Sequence, residues 1–226
     1  MSKNPPEWMR RRLRRRLNRR ALGRAGEVRL GAPAPAVRVP AGLIVLVGPP
    51  ASGKTSFVQA LIAGGQIRAE AVVSSDEIRA ELFGPPATET ESEVESGAES
   101  DTAYARIFEE RDRRIVARLA AGRSAVAEST NVTPQARARL IAIARRFDAP
   151  VTMLRFDPGV AHLLQQYTER GRTDLTAADI RAYAALTARD AGADQLRSEG
   201  ASAVHDVPGR RQAVTPAEAA ALFSFA

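Results

Sequence analysis

The run Leu43-Ile44-Val45-Leu46-Val47 leaves the chain few options. Its apolar residues show no polar alternation. That is the pattern of a strand buried on both faces, as in a parallel sheet covered by helices. Directly after it stands Gly48-Pro49-Pro50-Ala51-Ser52-Gly53-Lys54-Thr55-Ser56, and then a helical pattern begins. The spacing Gly48-x-x-x-x-Gly53-Lys54-Thr55, between a strand and a helix, is a phosphate-binding loop in the context it requires. Glycines let backbone N–H groups curl around an anion, and the positive end of the following helix points at it. Gly48, Ala51, Ser52, Gly53, Lys54, Thr55 and Ser56 are therefore the candidate cradle for a nucleotide. In this pattern Lys54 reaches the β- and γ-phosphates and the Thr55 hydroxyl holds the metal, so ATP and Mg²⁺ are the implied cofactors.

The usage of basic residues supports this independently. Of 33 Lys plus Arg, only Lys3 and Lys54 are lysines. Elsewhere the chain takes Arg for positive charge, and a compact ammonium stands where the pattern calls for one.

Other totals bound the answer. The chain has no cysteine, which excludes a disulfide, a thiolate metal site and a Cys nucleophile. No apolar run approaches the roughly 18 residues of a membrane span. With no charged-then-apolar leader either, a cytoplasmic location is expected. Charge is split unevenly. Residues 1–30 hold ten Arg and Lys3 against Glu7 and Glu27, a net +9 that leaves −2 on the remainder. In this arm Met9, Leu13, Leu17 and Ala21 recur every fourth residue beside Trp8, a narrow apolar stripe on an Arg-rich helix. Such a helix suits a nucleic-acid backbone, packing on the domain or on a second copy to form a homo-oligomer, or an anionic membrane surface. The expected organisation is an arm over 1–30, a stiff Pro-containing linker over 31–40, a nucleotide-binding domain over 41–210 and a C-terminal helix within 211–226.

Within the domain, strands and helices alternate. Strands are expected at 43–47, 71–74, 124–128, 151–156 and 203–207. Helices are expected at about 54–63, 76–83, 103–121, 133–147, 159–169, 176–198 and 216–223. Residues 84–102 carry six acidic residues and no Lys or Arg, and read as an acidic loop. The pattern implies an α/β P-loop NTPase: a parallel five-stranded sheet, helices on both faces and a helical lid. Ligands then gather at the carboxyl ends of the strands.

Candidate chemistry stands at those ends. Asp76, just past the second strand, is placed to accept a proton from an acceptor hydroxyl, or to cap its helix. Arg79 lies three residues on, on the same helix face, with a fork suited to an anionic acceptor. Glu128 ends the third strand, where a carboxylate can orient Arg79, reach a metal through water, or cap the next helix. Arg170 and Arg172 flank Gly171 in a short link between helices, where an arginine can close over ATP phosphates. His162 and His205 lack metal-ligand spacing and read as structural.

Taken in order, Gly-Pro-Pro-Ala-Ser-Gly-Lys-Thr, Ser-Ser-Asp-Glu-Ile-Arg, Glu-Ser-Thr-Asn-Val-Thr-Pro and Glu-Arg-Gly-Arg resemble the P-loop kinase domain of polynucleotide 5′-hydroxyl kinases, across about residues 43–207. The resemblance implies ATP-dependent phosphoryl transfer to the 5′-OH of RNA or DNA. It implies Asp76 as general base, Arg79 on the adjacent phosphate, Asn131 in the acceptor-side segment and Arg170 on the ATP phosphates. Gln166 stands where that family's lid often has a second arginine, with Arg172 as the alternative. The same branch resembles kinases of metabolites, antibiotics and nucleotide sugars, which leaves a small-molecule acceptor as the other expectation.

Overall fold

The structure is a computed structural model that describes residues 37–84, 97–169, 171 and 175–226. The Arg-rich arm, most of the linker, residues 85–96 and both lid arginines, Arg170 and Arg172, lie outside the described residues.

Five strands form one sheet: β2 (Leu43–Val47), β3 (Val72–Ser74), β4 (Ala125–Glu128), β5 (Val151–Arg155) and β6 (Ala203–Asp206). Their order is β3-β4-β2-β5-β6 and every pairing is parallel. The expected α/β P-loop architecture is what the chain adopts. β2 is central, which explains its uninterrupted apolar run. Leu43, Val45 and Val47 enter the core on one face, and Ile44 and Leu46 enter the core on the other. All five are at most 2% exposed. At roughly 1.5–3 kcal/mol for each fully buried large aliphatic side chain, this strand alone anchors the sheet.

Helices α1 (Lys54–Ala63) and α8 (Pro216–Ala221) supply side chains to the Ile44/Leu46 face, through Phe57, Val58, Leu61, Ala219 and Ala220. Helices α2 (Ser75–Phe83), α3 (Gly97–Ala120), α4 (Pro134–Arg145) and α7 (Ala193–Glu199) cover the other, through Ile78, Ile115, Leu140 and Leu196 among others. Helices α5 (Val160–Glu169) and α6 (Ala177–Asp190) pair through a small core of their own, Leu163, Tyr167 and Ile180. This pair is the helical lid.

Four expectations need correction. Residues 37–39, placed in the linker, form strand β1 (Val37–Val39). It pairs in parallel with β7 (Phe223–Phe225), so the C-terminal segment is a helix followed by a strand. This pairing seats Phe223 edge-on against Phe57, at 5.6 Å between centroids, and so braces α1 from behind. The acidic loop ends earlier than expected, since α3 begins at Gly97. The long helix over 176–198 is two helices. α6 ends at Asp190, and Gly192 takes an extended conformation (φ −65°, ψ 149°) that starts α7.

Candidate active site

The loop after β2 is shaped by backbone. A Cβ on Gly48 would stand 2.7 Å from the Phe156 carbonyl oxygen, so only glycine fits. Ala51 and Gly53 take positive φ, 59° and 95°. Gly53 leads into α1 without a side-chain cap, and the first turn of α1 holds no acid. By contrast α2, α4, α6 and α8 each start with a side-chain cap, from Ser74, Thr133, Thr176 and Thr215. No side chain caps the start of α1, and the helix dipole there favours an anion. Lys54 is buried, and its Nζ donates to the carbonyls of Gly48 (2.9 Å) and Pro49 (2.7 Å) and to Ser52 Oγ (3.2 Å). The ammonium is held at the loop's own rim.

Thr55 Oγ1 donates to Glu128 Oε1 at 2.6 Å. This bond joins the start of α1 to the end of β4. Thr133 caps α4 by accepting from Ala136 N, so Glu128 is not that cap. Arg79 is held elsewhere: its guanidinium lies 4.7 Å over the ring of Tyr104 on α3. Glu128 therefore serves the Thr55 corner. Burial, above all, raises its pKa from the usual 4.5; the Thr55 bond and Lys54 oppose the rise, and Glu77 and Asp76 add to it. The Thr55 hydroxyl and Glu128 carboxylate are a hard-oxygen pair of the kind that suits Mg²⁺, which keeps waters and phosphate oxygens as its other ligands. Among the described residues no group of three or more His, Cys, Asp or Glu could hold a metal.

Asp76 lies in the first turn of α2, exposed, and near enough to Glu128 to raise its pKa through charge. The capping alternative falls away, because Ser74 Oγ takes that role by accepting from Glu77 N. Asp76 thus has no capping duty.

Asn131, expected in the acceptor-side segment, lies in the loop after β4. It is 2% exposed with φ 46°, and its Nδ2 donates to the Leu46 carbonyl at 2.9 Å. Its amide nitrogen ties the loop after β4 to β2. Its Oδ1 is buried without a partner. That loop is further fastened by Arg137, 0% exposed, which donates to the carbonyls of Asn131, Val132 and Asp190 and bidentately to Glu199.

Two cavities adjoin these elements. One, of about 250 Å³, opens beside Ser52, Gly53 and Ser56 and extends under the end of α5 to Gly209 and Arg210. There Arg210 Nη1 donates to Glu169 Oε2 at 2.6 Å, linking the lid to the segment after β6. The other, of about 480 Å³, lies beyond β4, among α3, α4 and α6.

Residues 43–190 match the AAA domain family AAA_33. The chain belongs to that family. This AAA_33 domain has the P-loop kinase fold, as the order of its motifs implied. It superposes on a chain of the Pnkp1/Rnl/Hen1 RNA repair complex with a TM-score of 0.53 at 18% identity, over 69% of this chain. The match spans 45% of that chain, so this protein covers about half the length of that relative. Shikimate kinase from Acinetobacter baumannii gives a TM-score of 0.44 at 18% identity, covering 76% of this chain and 87% of that one. A gluconokinase from Sinorhizobium meliloti 1021 gives 0.45 at 18%, covering 80% and 90%. At 18% identity the likeness to the RNA repair complex chain is one of fold. No curated protein matches the sequence.

Sequence reasoning passed over Tyr104, Arg111, Arg137 and the Glu169–Arg210 pair. Arg111 stands within Glu109-Glu-Arg-Asp-Arg-Arg114, which reads as a solvated charge run. A signal was present: Arg111 falls in register with Ile107, Ile115 and Leu119, an apolar stripe at spacing four. A charge inside such a stripe is buried or faces a ligand.

Proposed function

We propose that this AAA_33 domain transfers the γ-phosphoryl group of ATP to the 5′-hydroxyl of a polynucleotide. The observation that carries this reading is the position of Asp76, clear of helix capping at the start of α2 and near enough to Glu128, the partner of Thr55, to raise its pKa through charge. The acceptor O–H gives its proton to the Asp76 carboxylate as its oxygen bonds to the γ-phosphorus. The bond from that phosphorus to the β,γ-bridging oxygen breaks, and ADP leaves. Lys54 and the N–H groups opening α1 stabilise charge on the transferring and departing phosphates. Mg²⁺, held by Thr55 and supported by Glu128, supplies further neutralisation when bound. Ser56 and the smaller cavity take the rest of the nucleotide, with Arg170 and Arg172 assigned to its phosphates from the lid.

Arg79 favours a phosphate-bearing acceptor. It stacks on Tyr104, which is 47% exposed, and the Tyr104 ring stacks in turn on Phe108 at 6.4 Å. A cation beside an exposed aromatic ring suits one phosphate and the base next to it. The arm over 1–30 is assigned to gripping the strand, so the KM for an oligonucleotide should rise steeply with salt. The place of action on this reading is the cytoplasm.

A second reading, a small hydroxylated metabolite as acceptor, draws on the net −2 of the chain beyond residue 30. A nucleic-acid enzyme ordinarily carries a basic footprint on its body. Labelled ATP offered with a 5′-OH oligonucleotide and with a panel of hydroxylated metabolites separates the two. The first reading expects label on the oligonucleotide; label on metabolites alone overturns it.

A further inference from the structure

Two residues that line the cavity beyond β4 each carry a buried, unmatched polar atom. Arg111 lines it and is 1% exposed. One side of its guanidinium is fixed, with Nε and Nη2 donating to Asp112 Oδ1 at 3.0 and 2.8 Å. Asp112 is fixed in turn by Arg139, which donates to its other oxygen. Nη1 of Arg111 is buried and makes no hydrogen bond. Asn131, on the same cavity wall, has Oδ1 buried and unmatched as well. Its amide orientation is set by the carbonyls of Leu46, Ala127 and Ser129, all of which require the nitrogen on their side. The cavity's wall thus holds one buried donor and one buried acceptor. Leaving either unpaired costs free energy, and folded proteins seldom tolerate it without a reason.

The rest of the lining is apolar and aromatic, including Phe108, Val132, Tyr183 and Leu186. The Arg111 guanidinium lies 4.8 Å from the Phe108 centroid. Phe108 is also the ring on which Tyr104 stacks, and Tyr104 carries Arg79. The cavity is therefore continuous, side chain to side chain, with the residue assigned to the acceptor's phosphate. It also begins directly after Glu128, since Ser129 and Thr130 line it.

We propose that this cavity receives the nucleobase of the acceptor's 5′-terminal nucleoside, with Arg111 Nη1 donating to the base edge and Asn131 Oδ1 accepting from it. The inference rests on the polynucleotide reading above and adds a specificity determinant to it. A nucleobase has the required chemistry: flat apolar faces for the aromatic lining, and an edge carrying an acceptor and an N–H donor. A cavity of about 480 Å³ has room for one nucleoside and little more. Arg111 on this account is a binding residue, remote from the reacting phosphorus.

The test uses the full-length protein, ATP and two 5′-OH oligonucleotides of one sequence. One carries a base on its terminal sugar and the other is abasic there. The expected result is a KM about ten-fold or more higher for the abasic end, the scale of one stacked base. In Arg111→Met the ratio of the two KM values falls toward one. A purely structural role for Arg111 would move both substrates together and leave the ratio intact. Equal KM values for the two ends in the unaltered protein overturn the base pocket and leave the kinase reading standing. A base preference that survives Arg111→Met unchanged also overturns it. No transfer to either oligonucleotide overturns the polynucleotide reading and this inference with it. If the variant fails to fold, the comparison in the unaltered protein still decides.

Discussion

Two neighbouring parallel strands, β2 and β4, each run into a loop and then a helix, and the two loops are built on opposite principles. The loop after β2 is made by backbone: a glycine pressed on Phe156, two positive-φ residues, and a helix start with no side-chain cap. The loop after β4 is made by side chains. Asn131 ties it to β2, Arg137 closes it with five hydrogen bonds, and Thr133 caps its helix with Pro134 at the first position. Open N–H groups suit an anion that comes and goes. A closed, buried network suits a wall that must hold its shape. The Thr55–Glu128 hydrogen bond joins the two.

The largest effect should come from removing the fastener of the second loop. Arg137→Met leaves Glu199 and three carbonyls without their partner, and a loss of about 3–5 kcal/mol is expected, read as a fall in the denaturation midpoint. A loss under about 1 kcal/mol would mean the loop holds itself and would erase the contrast.

Glu128→Gln tests the link between the loops. A positioned carboxylate of this kind is worth about 10–100-fold in activity or metal affinity. The pH dependence is more telling. Burial raises the Glu128 pKa above 4.5, so activity should fall as pH drops through that raised value. Its contribution to stability has the opposite sign: full below 4.5 and lost as pH rises through the raised value. Glu128→Gln should remove this acid limb of the activity profile. An unchanged limb would assign it to another group.

Gly48→Ala attacks the first loop alone. Its Cβ meets backbone at 2.7 Å, so a cost of about 1–3 kcal/mol is expected, appearing as weaker nucleotide binding as well as lower stability. The smallest change is Thr133→Ala, which removes one cap and should cost about 1 kcal/mol of stability with nucleotide affinity unchanged.

The same contrast explains what could be read in advance. The first loop is written in local code. Glycines and a lone lysine at fixed offsets after an apolar run mark it, and α1 spans the residues expected. The side-chain loop is written in distant contacts. Arg137 meets Glu199, and Asn131 meets Leu46, across stretches of chain that no local pattern connects. Strands β1 and β7 were missed for the same reason: Val-Arg-Val and Phe-Ser-Phe are each three residues long, and each gains its ladder only from the opposite end of the domain. The break between α6 and α7 turned on Gly192. A lone glycine is tolerated in a helix, and here the burial of Ala191 and Leu196 decides the turn. Asp76 was legible as a candidate site residue because of where the second strand had to end. Its freedom from capping was not, since Ser74, Ser75 and Asp76 are all able caps.

The most direct test of the account compares nucleotide binding with transfer in Asp76→Asn. With a proton acceptor lost and the phosphate cradle intact, ATP affinity should stay within about two-fold while kcat for a 5′-OH oligonucleotide falls by about 10²–10⁴. Full transfer by Asp76→Asn would contradict the assignment of Asp76 as the base and leave the fold as a nucleotide-binding frame whose chemistry lies elsewhere.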